Sequence, residues 1–319
     1  MDAGLHELLA QTASMYYEQG MTQNAIAKQL NLSRVKIYRL LKQAREEKVV
    51  QITINWPISR DSQLEETLKE RFGLKEALVL STAPGNHSPA FQRLGELGAR
   101  YLEQTLEDGT TLAVCLGRST YETINAIRPG THAHVRVAQA IGSMPFAMGE
   151  LDSAALARLL AQKLGGDVLY LASPVMADSL EAAEVLRRQQ GIEHTLKAAR
   201  AADVALVGIG TLNPATFGFV KAGFITPDEL SALAADGAVG DVSGQIFTLN
   251  GDLHPCEFNR RVVGITFDDL CHIPTTFAVA MGREKAEAIL GCLRTCIINV
   301  FCTNDQTARA VLSFDEDGR

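Results

Sequence analysis

From Glu76 onward the sequence alternates short apolar runs with helical patterns, and no other feature constrains the fold as strongly. The runs are ALVLS (77–81), TLAVCL (111–116), VRVAQAI (135–141), DVLYLA (167–172), VALVGI (204–209) and TFAVA (276–280). Between them, apolar residues recur at helical spacing over 90–106, 119–127, 153–164, 178–190 and 283–296. A strand followed by a helix and then another strand makes a crossover, which leaves the two strands parallel. The expected fold is α/β, with a doubly wound, mostly parallel sheet and helices on both faces. No internal repeat or low-complexity tract interrupts the pattern.

The first fifty residues follow a different rule. Leu5, Leu8, Leu9, Thr12, Ala13, Tyr16 and Tyr17 recur at helical spacing, and Gly20 stands at the expected C-terminal cap. Thr22 can cap a second helix, Gln23 to Leu30, with Ile26, Ala27 and Leu30 inward. Asn31 suits a left-handed turn. Ser33 can cap a third helix, Arg34 to Lys48, with Ile37, Leu40, Leu41 and Ala44 inward. Two short helices, a tight turn and a small residue at the crossing form the pattern of a helix-turn-helix. VVQITIN (49–55) alternates like a strand and suits the wing of a winged variant, ended by Trp56-Pro57. The boundary therefore falls at residues 1–56 and 57–319, with Pro57 to Asp61 as hinge and a helix from Ser62 to Phe72 closed by Gly73.

Charge separates the same two regions. The chain of 319 residues carries a net −7, which by itself argues against nucleic acid. Residues 21–50, however, hold Lys28, Arg34, Lys36, Arg39, Lys42, Arg45 and Lys48 against Glu46 and Glu47, a local +5. The first fifty residues sum to +2 and the remainder to −9. Clustered Lys and Arg are what phosphate contacts require. On the third helix, Ser33, Arg34, Val35, Tyr38 and Arg39 are placed to meet base edges, with Lys42 further along. Arg34 or Arg39 suits a fork onto guanine, whereas Thr22, Lys42 and Arg45 suit phosphate. The expected partner is double-stranded DNA. A three-helix bundle used for protein contacts is the alternative, and it predicts binding indifferent to salt.

Hydrophobic residues make up 46% of the chain, enough for two or three cores. No apolar run approaches the ~18–20 residues of a membrane span, and Met1–Gln11 lacks a signal-peptide layout. Six cysteines without a disulfide framework suit a reducing cytoplasm. His132-Ala-His134 alternates like metal ligands but has no partner at metal-site spacing. Cys292 and Cys296 suit a packed apolar helix face, and Asp268-Asp269 suits an exposed first helical turn.

In parallel sheets, ligands bind beyond the carboxyl ends of the strands. Four segments there suit a small anionic or polyhydroxylated ligand. Leu116-Gly117-Arg118-Ser119-Thr120 offers close backbone approach, a guanidinium and two hydroxyls at a helix start. Gly208-Ile209-Gly210-Thr211 repeats the arrangement after another strand. Gly240-Asp241-Val242-Ser243-Gly244-Gln245 supplies an acceptor for sugar hydroxyls, and Gly282-Arg283-Glu284-Lys285 supplies cations at a helix start. No cofactor is expected. Asp241 or Glu257 acting as a base on a sugar phosphate would instead make the protein an isomerase-like enzyme.

The segment YYEQGMTQNAIAKQLNLSRVKIYRLLKQAREEKVVQITIN (16–55) resembles the N-terminal module of SorC-type sugar-binding transcriptional regulators. The resemblance continues through LEETLKERFGLKEALVL (64–80), LGRST (116–120), LASPVMADSLEA (171–182), VGIG (207–210), GAVGDVSGQIFTLNG (237–251), MGREKAEAI (281–289) and TNDQTARAVL (303–312). It implies a winged helix-turn-helix followed by an effector domain with the fold of glucosamine-6-phosphate deaminase and ribose-5-phosphate isomerase. It implies a sugar, polyol or sugar-phosphate effector and a homotetramer built as a dimer of dimers. By the resemblance, Gly117, Ser119 and Thr120 fall on the phosphate-cradling turn, Asp241 on the sugar-contacting segment and Lys285 on the lysine of the late phosphate-facing helix. Arg118, where the family has a small residue, and Met281-Gly282, where it has paired glycines, are departures.

Overall fold

The computed structural model describes residues 3–47, 49–50, 57–82, 90–128 and 134–316, and the chain forms two compact units, Met1–Pro57 and Ile58–Arg319.

The first unit holds α1 (Ala3–Ala13), α2 (Gln23–Gln29) and α3 (Arg34–Glu46), and side-chain caps set the starts of α2 and α3. The Thr22 hydroxyl accepts from the Ala25 amide at 3.2 Å, and the Ser33 hydroxyl accepts from Lys36 at 3.2 Å. Each cap satisfies an amide that the first helical turn leaves without an intrahelical partner. Asn31 turns the chain between α2 and α3 at φ +53°, as its short polar side chain allows. After α1 the helix widens into a π turn over Ser14–Glu18 before ending at Gly20, φ +66°. Met15 of this turn is buried, while Tyr16 and Tyr17 face outward and pack edge to face. Leu9, Ala13, Ile26, Ala27, Ile37, Leu40, Leu41 and Ala44 close the core. The expected third helix ends at Glu46, two residues early, and the expected wing strand falls largely on 51–56, outside the described residues.

In the second unit, Asp61 caps α4 (Ser62–Phe72) and left-handed Gly73 ends it. Seven strands then form one wholly parallel sheet: β1 (Glu76–Leu80), β2 (Thr111–Val114), β3 (Arg136–Gln139), β4 (Asp167–Leu169), β5 (Val204–Gly208), β9 (Thr275–Val279) and β10 (Val300–Asn304). Their order is β1-β10-β9-β5-β2-β3-β4. Between β5 and β9 the chain makes a smaller antiparallel sheet of β6 (Gly210–Thr211), β7 (Ala238–Val242) and β8 (Gln245–Thr248). Along each large-sheet strand, alternate residues enter cores on opposite faces. Leu78, Leu112, Val137 and Leu206 join the one under α5 (Ala90–Thr105) and α6 (Arg118–Ala126), whereas Val79, Ala113, Ala138 and Val207 join the other. From β2 the chain runs outward through β3 to β4, then returns to β5 on the other side of β2. The β2–β5 crevice is therefore the topological switch point.

The structure corrects several sequence expectations. Strand β10 was not expected. It sits between β1 and β9, following a helix that ends at Arg294 with Cys296 left-handed at φ +59°. Cys296 is consequently exposed beyond that helix, and only Cys292 is packed. The helix expected over 178–190 is two helices, Leu180–Arg187 and Gln190–Arg200, broken where Gln189 is extended. Asp269 is not simply exposed. Its carboxylate accepts from the Thr266 amide at 2.8 Å and from Arg200 at 3.0 Å, joining a capping box to an ion pair. Among the described residues, no helix is long and apolar enough to cross a membrane.

Candidate functional site

Two sets of residues hold side chains placed for binding, one in each unit. On α3 the buried positions Ile37, Leu40, Leu41 and Ala44 fix the helix orientation, which leaves Ser33, Arg34, Val35, Lys36, Tyr38, Arg39, Lys42 and Arg45 exposed. Of these cations, Lys42 lies 3.5 Å from Glu46, an ion pair open to solvent and therefore weak. Beside α3, Tyr16, Gly20, Thr22, Gln23, Asn24 and Arg34 line a shallow groove of about 660 Å³. Thr22 caps α2 with its oxygen lone pair, so its O–H stays available as a donor.

The second set lies at the carboxyl end of the parallel sheet. Gly117, at φ +131°, turns the chain from β2 into α6, a conformation in which a Cβ is strained, and its amide donates to the Leu151 carbonyl at 3.1 Å. Ser119 and Thr120 in the first turn of α6 are buried. The Thr120 hydroxyl oxygen is buried without a hydrogen-bond partner among the described residues, and a Cβ on Gly208 would stand 3.8 Å from it. The two sit across the β2–β5 crevice. Gly210 pairs with Asp241 in the small sheet, and its lack of a side chain leaves room for the Asp241 carboxylate, which a Cβ there would displace.

Asp241 does not stand on a loop at a parallel-strand end, as its sequence suggested. It is on β7, next to the tight turn into β8, because Ser243 (φ +53°) and Gly244 (φ +73°) are both left-handed and reverse the chain at once. Its carboxylate accepts from the Gly244 amide at 3.1 Å. Burial pushes the carboxyl up to about 6, opposed by that amide and by the Lys285 charge. Lys285 donates to the Ile209 carbonyl at 2.8 Å, and burial lowers its pKa against the attraction of Asp241. The expected helix over 283–296 begins as a single tight turn, Arg283–Lys285, before the helix Ala286–Arg294. In this way Thr120, Gly208, Gly210, Asp241 and Lys285 converge from α6, β5, β6, β7 and the segment after β9.

Other candidates are placed elsewhere. The Arg118 side chain is exposed, with its guanidinium 4.6 Å from the Phe91 ring centroid and 3.8 Å from Glu122. Arg283 is also exposed. Glu257 is exposed at the start of a short helix, Glu257–Arg261, apart from β7 in sequence. His134 is exposed against the Gly165 carbonyl, and His132 lies outside the described residues. Among the described residues, no group of three His, Cys, Asp or Glu side chains could hold a metal. One contributor has no counterpart among the site residues that the sequence suggests. Cys115, a buried thiol pushed up to about 12 by desolvation, lies 3.2 Å from the Ser243 hydroxyl and ties the β7–β8 turn to the end of β2. Ile209, inside the expected segment 208–211, contributes through its backbone carbonyl, which holds Lys285.

A parallel sheet with polar groups gathered at its switch point, attached to a small unit with a basic helix face, has the build of a ligand-responsive regulator. Comparison with known proteins agrees. Residues 56–313 match the family model described as a putative sugar-binding domain. The chain is 35% identical to the transcriptional regulator LsrR of Enterobacter sp. (strain 638), over 96% of this chain and 93% of that protein. The putative sugar-binding domain of a transcriptional repressor from Vibrio fischeri superposes with a TM-score of 0.73 at 32% identity, covering 80% of this chain and all (100%) of that one. The full-length sorbitol operon regulator SorC from Klebsiella pneumoniae gives 0.71 at 29% identity, covering 97% and 100%. The chain belongs to the family of SorC-type sugar-binding transcriptional regulators.

Proposed function

We propose that the protein is a bacterial transcriptional regulator of a carbohydrate or polyol operon. It reads double-stranded operator DNA through a winged helix-turn-helix over residues 1–56 and responds to a small sugar, polyol or sugar-phosphate bound within residues 57–319. Arg34, Val35, Tyr38 and Arg39 face base edges with Ser33 at the helix start, and Thr22 and Lys42 meet phosphates. Gly117, Ser119 and Thr120 present the α6 N-terminus to the ligand's anionic or hydroxylated end. Gly208 admits it closely, Gly210 makes room for the Asp241 carboxylate that accepts from its hydroxyls, and Lys285 supplies the positive charge. Arg118 borders this set from the surface. The protein works in the cytoplasm as a homotetramer, a dimer of dimers, so that the ligand acts by favouring one placement of subunits over another.

The observation that carries this reading is the buried Thr120 hydroxyl without a partner, facing Gly208 across the switch point with Asp241 and Lys285 nearby. A buried hydroxyl left unpaired costs about 1–3 kcal/mol, which a ligand hydroxyl or phosphate oxygen would recover. A thermal-shift screen across sugars, polyols and their phosphates tests it. One ligand stabilises the second unit selectively, by linkage, and changes retention of an operator duplex in a gel. Turnover of a sugar phosphate without DNA binding would overturn the proposal.

A further inference from the structure

Among the cations of α3 stand two exposed apolar side chains, Val35 at 59% and Tyr38 at 54% exposure. Tyr38 carries a hydroxyl and so has a polar use. Val35 has none. It is absent from the core of the first unit, whose α3 members are Ile37, Leu40, Leu41 and Ala44. Its immediate neighbours Arg34 and Lys36 are exposed, as is Arg39 one turn on, so any surface that covers Val35 also meets this positive charge. Valine in a helix is held to essentially one side-chain rotamer, which presents its two methyl groups in a fixed direction. It is the second residue of α3, in the N-terminal turn that reaches base edges when a recognition helix enters the major groove. A side chain without donor or acceptor can read only an apolar feature there. Across the four base pairs, the major groove displays one apolar group, the C5-methyl of thymine; the rest are donors and acceptors.

We infer that Val35 contacts the C5-methyl group of a thymine in each operator half-site and so selects thymine at that position. The inference rests on the proposal that α3 reads DNA. It adds a base identity that the arginines cannot supply, because a guanidinium pairs with the acceptors of guanine.

The test uses the full-length chain and its Val35→Ala variant. Duplexes are first enriched from a random-sequence pool by the wild-type chain, and each thymine of the enriched site is then replaced in turn by deoxyuridine, which removes only the methyl group. At one thymine per half-site the replacement weakens wild-type binding by about fourfold, the effect of one buried methyl group. Val35→Ala binds the thymine and deoxyuridine duplexes about equally at that position and loses none of its salt dependence. A series in which no thymine is sensitive overturns the inference while leaving DNA reading intact. So does a sensitive thymine whose loss is the same in Val35→Ala, or a Val35 that instead covers another protein copy and leaves the series flat. Failure of the pool to enrich any sequence, with binding indifferent to salt, overturns DNA reading itself. Because Val35 is exposed and alanine favours helix, folding of the variant is unaffected, and its thermal unfolding matches that of wild type.

Discussion

The two units use charge in opposite ways. In the first, packing turns the cations out: the apolar face of α3 is buried and Arg34, Lys36, Arg39, Lys42 and Arg45 face solvent. In the second, packing draws charge in: Lys285 reaches the Ile209 carbonyl and the Asp241 carboxyl is held up to about 6 by burial. An outward cation suits a large polyanion that supplies its own matching charge. An inward pair is desolvated before any ligand arrives, and its strength depends on a handful of neighbours. The contrast teaches that a net charge describes neither unit. It also predicts that the two binding activities separate by mutation.

The largest effect falls on the outward side. Arg39→Ala lowers operator affinity by about 10–100-fold, the cost of a lost bidentate base contact, and leaves ligand-induced thermal stabilisation unchanged. Gel-shift titrations in parallel with thermal shift check both halves. A joint loss would break the separation. Next, Lys285→Ala weakens ligand affinity by about tenfold, the scale of a hydrogen bond to a charged group. Titration of the stabilising ligand measures it, and unchanged DNA affinity confirms that the inward pair belongs to sensing.

Asp241 sharpens the comparison through pH. Its folded value of about 6 exceeds the ordinary 3.8, so between those values the folded chain keeps a proton that the unfolded chain has lost. Stability therefore falls as pH rises from about 4 to about 6, then levels, with a total on the order of 3 kcal/mol. Asp241→Asn retains an acceptor for the Gly244 amide and loses this slope. Parallel slopes in chemical denaturation of the two chains would show that burial does not govern the carboxyl. The smallest effect belongs to Arg118→Ala. Its guanidinium rests on Phe91 at the surface, so ligand affinity shifts less than twofold and stability by about 0.5 kcal/mol. A tenfold loss of ligand affinity would instead place Arg118 in the site.

Much of this was legible in the chain itself because the signals were local. Thr22 and Ser33 announce helix starts, since a cap needs only a side-chain oxygen and an amide within three residues. The strand-and-helix alternation announces a parallel sheet, since each helix is a crossover. The inward and outward faces of α3 follow from 3.6-residue spacing. Each of these is read from neighbours along the chain and needs no knowledge of distant partners.

What required the tertiary structure is what depends on distant pairing. Strand order placed β10 between β1 and β9 and put β2 beside β5, which no local pattern specifies. That order alone brings Thr120 to Gly208 across some ninety residues of sequence and makes the crevice a switch point. The left-handed pair Ser243-Gly244 moved Asp241 from an expected loop onto an antiparallel hairpin, where Gly210 leaves room for its carboxylate. The sequence by itself determined which elements form and which faces they bury, because periodicity and capping act through neighbours. Only the folded sheet decided which loop ends meet, because that depends on strand neighbours chosen by packing across the whole domain.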